Sequence, residues 1–530
     1  MKKLILVMLL LPFIAFQPCI GQEDYIEKGM KAISADVLKA QMGFLASDWT
    51  EGREAGEKGE YIAGDYIASM LQLYGVKPGG DLESTWGYFM KSEKTYFQDF
   101  TLLKTEQGDN HVLKIKSTDG LTVKSTSLSY NTDFILRASG RGIEIEAPVV
   151  FAGYGFKNEQ LNYDDFSNLN VKGKFVLKIS GAPGFAREKL TSSELSASAR
   201  DTENMLRKMG AAGIIEFNPG STTVGSPSVP DFRNMSPSEV IPSYRQYYER
   251  YLLPDRTGYG SFSRIRISSK AAEEILDGTG IVVGDYIKNT DSGIQLKLPP
   301  VNLKVIYLKT DVKSTLVNVR NVIGIIEGID PEQIIVLGAH YDHEGMANGY
   351  IWNGADDNAS GTVGVLTLAK AIIETGIKPE KTIIIALWTA EEKGLLGSRY
   401  YVDNLTYPKE NLRLNLNFDM ICRYVSDEEP NKVTMIYTDS YPGFKELTEG
   451  NLKKYGIDLD VSYGPSDNPT GGSDHRSFVE AGIPVMRFKP GHREEYHTPD
   501  DEIETVDWDI MEKIVRITFA NIWELANNTW

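Results

Sequence analysis

The stretch 334–342, IIVLGAHYD, leaves this chain few choices of fold. An unbroken apolar run bounded by Gly338 cannot alternate between a core and water. It reads as a short strand buried on both faces, as in parallel sheets covered by helices. The strand ends in His340-Tyr341-Asp342. Residues i and i+2 share one side of an extended chain, so Asp342 is placed to reach the imidazole of His340. A carboxylate there fixes the tautomer and makes the histidine a better metal ligand. The loop Gly354-Ala355-Asp356-Asp357-Asn358-Ala359-Ser360-Gly361 follows, then an apolar helix over about 362–374. A second buried strand, 382–387, ends in Thr389-Ala390-Glu391-Glu392, and a third, 412–416, ends in Asn417-Phe418-Asp419. Acids and imidazoles thus gather at carboxyl ends of strands or in the loops after them, where open α/β sheets keep their ligand sites.

At 530 residues the chain has room for two or three domains and a large core. A formal net charge of -17 argues against a nucleic-acid partner. Five of the six histidines, His340, His343, His475, His492 and His497, lie from position 340 onward, so metal or acid-base chemistry is expected there. At the start, Lys2-Lys3 precede an apolar run over 4–16 and a cleavable segment ending at Gly21. The run is too short for a bilayer of roughly 30 Å, so residues 1–21 read as a cleaved export signal. The mature protein is then periplasmic or extracellular, with no stable membrane insertion. Pro18 before Cys19 speaks against lipoprotein processing, and after cleavage only Cys422 remains, which leaves no intramolecular disulfide.

In chain order, 33–46 and 61–74 have apolar residues at helical spacing, separated by a polar, glycine-punctuated loop. The clearest early strand is 96–102. Between about 135 and 300 the texture changes to short β runs, glycine and tyrosine, with strands at 147–155, 171–178 and 211–217 and no histidine or cysteine. This reads as an inserted β-rich module. From 316 an α/β alternation resumes: strands at 317–326, 434–437 and 483–488 and helices at 444–455 and 507–526 join those already named. The expected organisation is a first part of the catalytic domain over 22–135, an insert over 136–300 and the main catalytic part over 301–530.

Two zinc ions about 3.5–4 Å apart can share one carboxylate and hold a water between them. Each needs in addition one histidine and one further acid. His340, Asp356, Glu392, Asp419 and His497 form such a set. Glu391 is left over beside a ligand. Adjacent residues on a turn point in different directions, so Glu392 can bind metal while Glu391 faces the water as general base. Taken singly, each has a plainer reading: Glu391-Glu392 as a solvated face, His340 as a satisfied strand-end histidine, Asp356-Asp357 as a helix cap. The joint pattern is the specific signal.

Six segments carry a resemblance to a known family: Ala339-His340-Tyr341-Asp342, the 354–361 loop, Ala390-Glu391-Glu392-Lys393-Gly394-Leu395-Leu396-Gly397-Ser398, Asn417-Phe418-Asp419-Met420, Gly472-Ser473-Asp474-His475 and Tyr496-His497-Thr498. Together they resemble the co-catalytic zinc exopeptidases of peptidase family M28, the bacterial leucyl aminopeptidase, aminopeptidase Y and glutamate carboxypeptidase group. Glu51-Gly52-Arg53 resembles the N-terminal portion of the same domain. Val171-Lys172-Gly173-Lys174 and Gly210-Ala211-Ala212-Gly213-Ile214-Ile215 resemble a protease-associated (PA) domain. The resemblance implies a three-layer α/β/α zinc-exopeptidase fold with a mixed, largely parallel sheet and two zinc ions per chain. It makes Asp356 the bridging ligand, His340 and Asp419 the ligands of one metal, and Glu392 and His497 those of the other. Glu391 becomes the base and Asp342 the residue orienting His340.

Tyr496, beside a ligand, is the candidate to hydrogen-bond the tetrahedral oxyanion. His343, Arg423, Arg487, His492 and Arg493 are candidates to line the substrate site, with Asp474 and His475 nearby. The expected activity is aminopeptidase cleavage of peptides, with a carboxypeptidase or dipeptidase as the alternative. A non-catalytic peptide-binding protein with a structural zinc site fits poorly, since structural sites are closed and rich in thiolates or histidines. No Gly-x-Ser-x-Gly elbow follows a strand, so a serine hydrolase finds no support.

Overall fold

Strict alternation along the central strands builds a sheet with a core on each face. The computed structural model describes residues 22–528 except 86–90, 109, 120, 137–141, 223, 225–248, 255–262, 302–303, 348, 425, 441–442 and 492. The export signal expected at 1–21 lies outside them. The main sheet contains β1 (Phe97–Gln107), β2 (Val312–Ile326), β3 (Asp330–His340), β4 (Lys381–Trp388), β5 (Leu412–Phe418), β6 (Lys432–Tyr437) and β7 (Val485–Lys489). Its order is Glu249–Leu252, β1, β2, β4, β3, β5, β7, β6 and Asp460–Pro465, with Lys77–Pro78 paired to β2. β3 runs parallel to β4 and β5, and β5 parallel to β7, while β1, β2 and β6 join antiparallel.

On one face Ile335, Leu337 and Ala339 of β3 and Ile383, Ile385 and Leu387 of β4 form a core with the helices α1 (Ala35–Leu45), α2 (Lys58–Tyr74), α3 (Gly361–Glu374) and α4 (Trp508–Asn527). On the other face Ile334, Val336, Ile384, Ala386 and Trp388 pack with Tyr401 and Phe478 from two short helices, Leu396–Asp403 and His475–Glu480. Each fully buried aliphatic side chain of this kind is worth about 1.5–3 kcal/mol, so register is strongly specified along β3 and β4. The closing helix is capped by Asp507, whose carboxylate accepts from the N–H groups of Asp509 and Ile510. The expected three-layer α/β/α arrangement with a mixed sheet is the one observed. Among the described residues no helix is long and apolar enough to cross a membrane.

A second, eight-stranded sheet joins Thr122–Leu128, Val112–Asp119, Lys304–Lys309, Glu144–Phe151, Phe175–Ile179, Gly213–Phe217, Ser263–Ile267 and Phe134–Leu136, in that order. It has its own core, including Phe151, Phe175, Leu177, Ile215 and Ile265. The boundaries 136 and 300 read from the sequence cut through this sheet, because Val112–Asp119, Thr122–Leu128 and Lys304–Lys309 belong to it. Val112–Asp119 and Lys304–Lys309 each pair on both sides within it, and Thr122–Leu128 is its edge. Conversely Glu249–Leu252, well inside 136–300, pairs with β1 of the main sheet.

Candidate active site

β3, β4 and β5 lie side by side and parallel, so their carboxyl ends deliver His340, the Thr389–Glu392 turn and Asp419 to one place. Thr362 at the start of α3 donates its hydroxyl to the carbonyl of His340 at 2.8 Å and ties helix to strand end. The 354–361 loop opens at Gly354 in the left-handed region, where an added Cβ would lie 2.0 Å from the carbonyl oxygen of Asp357. Only glycine fits there.

The structure brings Asp357, not the expected Asp356, into the cluster. Asp356 is turned away from the cluster: its Oδ1 accepts from the N–H and the Sγ of Cys422, each at 3.1 Å. Asp357 stands in the expected place. Its Oδ1 lies 3.4 Å from Nε2 of His340, and its Oδ2 lies 2.9 Å from Nε2 of His497. The loop is not helical at Asp357 and Asn358, so the two neighbouring aspartates face opposite ways. The rule that separates Glu391 from Glu392 applies equally here.

His340, Glu391, Glu392, Asp419 and His497 do converge. His340, Asp357 and Glu392 offer atoms within 4.8 Å of one another, as do His340, Glu391 and Asp419. Oε2 of Glu392 is 3.5 Å from Nε2 of His497, and Oδ1 of Asp419 is 3.8 Å from Nε2 of His340. The Asp342 carboxylate lies beside His340 and also makes backbone contacts. His340 Nδ1 faces the backbone carbonyl of Asp342 at 3.2 Å, its carboxylate standing off at 3.8 Å. That carboxylate accepts from the N–H groups of Glu391 and Glu392, at 3.0 and 3.3 Å, and so shapes the β4 turn. Tyr496 stacks on His497, ring centroids 3.9 Å apart, and lines the cavity half-exposed.

Three residues outside the expected set hold it in place. Asp501 accepts from the N–H of Asp356 at 2.9 Å and of Asp357 at 3.0 Å. Arg53 is fully buried, its guanidinium donating to the carbonyls of Leu45, Tyr341, Asn353 and Gly354. His343 does not line the cavity; its Nδ1 lies 3.0 Å from Oε1 of Glu392. The acidic pair Asp500-Asp501 so soon after His497 was a readable signal, whereas His343 was expected to line the site and nothing local marks its contact with Glu392. Of the other expected lining residues, Arg423 pairs with Glu495 and Arg493 with Asp427, His492 lies outside the described residues, and Arg487 does line the cavity.

Burial raises the pKa of Asp357 to about 7, helped by Glu392, and raises Glu391 well above the carboxylate range. Burial alone would lower His497, but Asp357 and Glu392 outweigh it and lift it to about 11. So many buried acids side by side repel each other unless a cation sits among them. Nε2 of His497, 2.9 Å from Asp357 yet not aligned for a hydrogen bond, points the same way. Nitrogen and carboxylate donors without thiolates suit zinc in an open, catalytic setting. The residues fit the metal. The cavity beside them holds about 560 Å³ and is walled by the 391–396 turn, by Thr470-Gly471-Gly472 and by the strand Glu249–Leu252.

Residues 321–522 match the model of peptidase family M28. That part of the chain is similar to the M28 peptidases. Over 166 residues the chain is 36% identical to leupeptin-inactivating enzyme 1 of Streptomyces exfoliatus, covering 31% of this chain and 34% of that protein. Over 197 residues it is 32% identical to the probable leucine aminopeptidase 2 of Aspergillus oryzae, covering 36% and 37%. The chain therefore spans about a third of the length of the curated relatives it matches. An aminopeptidase from Aneurinibacillus sp. strain AM-1 shares the fold over 95% of this chain and 97% of its own, with a TM-score of 0.55 and 18% identity. The matched residues run from within β2 into α4 and include every donor in the cluster.

Proposed function

We propose that the chain is an exported di-zinc exopeptidase, an aminopeptidase that removes N-terminal residues from peptides. The observation that supports it most is the place of Asp357 between His340 and His497, with Glu391 beside them on the cavity wall. His340, Asp419 and Asp357 would hold one zinc, and Glu392, His497 and Asp357 the other. Bound there, the ions would polarise the scissile carbonyl and lower the pKa of the attacking water. Glu391 takes the proton of that water and hands it to the leaving amine. Its raised pKa suits a group that must both accept and return a proton. Tyr496, which lines the cavity, would donate its hydroxyl to the oxyanion. The insert, read as PA-like, contributes the Glu249–Leu252 wall.

The test uses purified protein without residues 1–21. Release of chromophore from aminoacyl-anilides is followed with and without a chelator and added zinc, beside N-blocked versions. Chelator-sensitive cleavage of free but not blocked substrates is the expected result. Cleavage of neither, with two zinc ions bound per chain, would move the reading to a carboxypeptidase or dipeptidase.

A further inference from the structure

Two neighbouring cations on β7 face the cluster without a counter-charge among the described residues. β7 alternates, so Met486 and Phe488 enter the helix-covered core while Arg487 and Lys489 share the opposite side and line the cavity with His340, Glu391 and Asp419. Arg487 is 3% exposed and Lys489 half-buried. Among the described residues no carboxylate comes within 4.0 Å of either. Arg399, on the same cavity wall, likewise has no carboxylate partner among the described residues, whereas other neighbouring cations do or are otherwise engaged. Lys393 pairs with Glu54 at 3.3 Å and Glu344 at 3.4 Å, Arg423 with Glu495 at 3.0 Å, and Arg53 is spent on backbone carbonyls.

Arg487 is held rather than neutralised. Its Nη1 donates to Nδ1 of His475 at 3.2 Å, and His475 is kept uncharged because burial and the guanidinium push its pKa down to about 3. The Nε of Arg487 is buried with no hydrogen-bond partner. The facing wall is bare: a Cβ at Gly471 would lie 3.6 Å from Nη1 of Arg487, and one at Gly472 would meet nothing. Burying a charge without a partner is costly, and a guanidinium fork beside an ammonium matches a carboxylate. Asp419 and Asp357 act on these cations only from a distance.

We propose that Arg487 and Lys489 form an anion subsite that receives a carboxylate of the substrate. This rests on the exopeptidase reading and adds a preference to it. The carboxylate comes either from an acidic side chain on the terminal residue or from the free α-carboxyl of a dipeptide. Both present the same group to the same fork.

Binding separates these sources without relying on turnover. Zinc-loaded Glu391→Gln protein is titrated calorimetrically with Glu-Gly-amide against Gln-Gly-amide, and with Leu-Gly against Leu-Gly-amide. We expect the acid of one pair to bind at least about tenfold more tightly than its neutral partner. The first pair identifies a side-chain carboxylate and the second an α-carboxylate. Adding Lys489→Met should bring that ratio close to one and Lys489→Glu should invert it. Arg487→Met tests the buried partner, and the half-exposed Lys489 decides should that variant fail to fold. Ratios near one in both pairs would overturn the subsite, as would a tenfold ratio that survives Lys489→Glu. If the ratio holds while native protein cleaves none of these peptides, the exopeptidase reading fails and the anion subsite stands.

Discussion

The carboxylate of Asp357 reaches two histidines at once, 2.9 Å from Nε2 of His497 and 3.4 Å from Nε2 of His340. Asp356, one residue earlier, is bonded to Cys422 instead. Asp357→Ala should therefore lower bound zinc below two ions per chain and abolish peptidase activity. Asp356→Asn keeps an acceptor for the Cys422 N–H and should retain most of the metal. Elemental analysis of both variants checks this; equal loss of zinc would contradict the assignment.

Glu391 accounts for proton transfer and not for metal affinity. Glu391→Gln should keep its zinc and lose about 10²–10⁴-fold in kcat, with KM little changed. A fully active variant would end this mechanism.

Asp501 binds nothing directly and satisfies two buried N–H groups of the bridging loop. Asp501→Ala leaves both unpaired, at about 1–3 kcal/mol each, and frees Asp357 to wander. Zinc affinity should fall about 10–100-fold alongside a lower Tm. A variant with lower Tm and unchanged zinc affinity would show that Asp501 serves only stability.

Glu60 gives a pH signature. Burial pushes its carboxyl up to about 8 from 4.5, against the opposing hydrogen bonds from Thr389, Gly56 and Tyr341. Its folded pKa lies above the unfolded one, so its contribution is complete below about 4.5 and is lost as pH rises towards 8, by about 1.4 kcal/mol per pH unit. Glu60→Gln cannot ionise. Its stability relative to the native chain, from urea midpoints, should rise across that window; a flat difference would mean that Glu60 folds already ionised.

What the sequence disclosed and what it withheld divide along a physical line. β3 and β4 were legible because continuous apolar runs can be buried only one way, and His340, Glu391, Glu392 and Asp419 follow from where those runs stop. The choice between Asp356 and Asp357 was not, since it depends on backbone direction in a loop without regular dihedrals. Asp501 and His343 act through long-range contacts with the 354–361 loop and Glu392, and no periodicity records these. Val112–Asp119 and Thr122–Leu128 fell outside the 136–300 bounds because which sheet a strand joins is decided by its partners, distant in sequence, and not by its own pattern. Arg487 was noticed as a charge, and its lack of a counter-charge is visible only in three dimensions.

The short strand Glu249–Leu252 has an implication for engineering. It leaves the insert, adds itself to the edge of the main sheet beside β1 and forms part of the cavity wall. A trimmed version made by deleting everything between β1 and β2 would keep every metal donor and still be breached on one side. Shuffling that interval between homologous scaffolds would accordingly reshape what enters the cleft while leaving the reaction untouched.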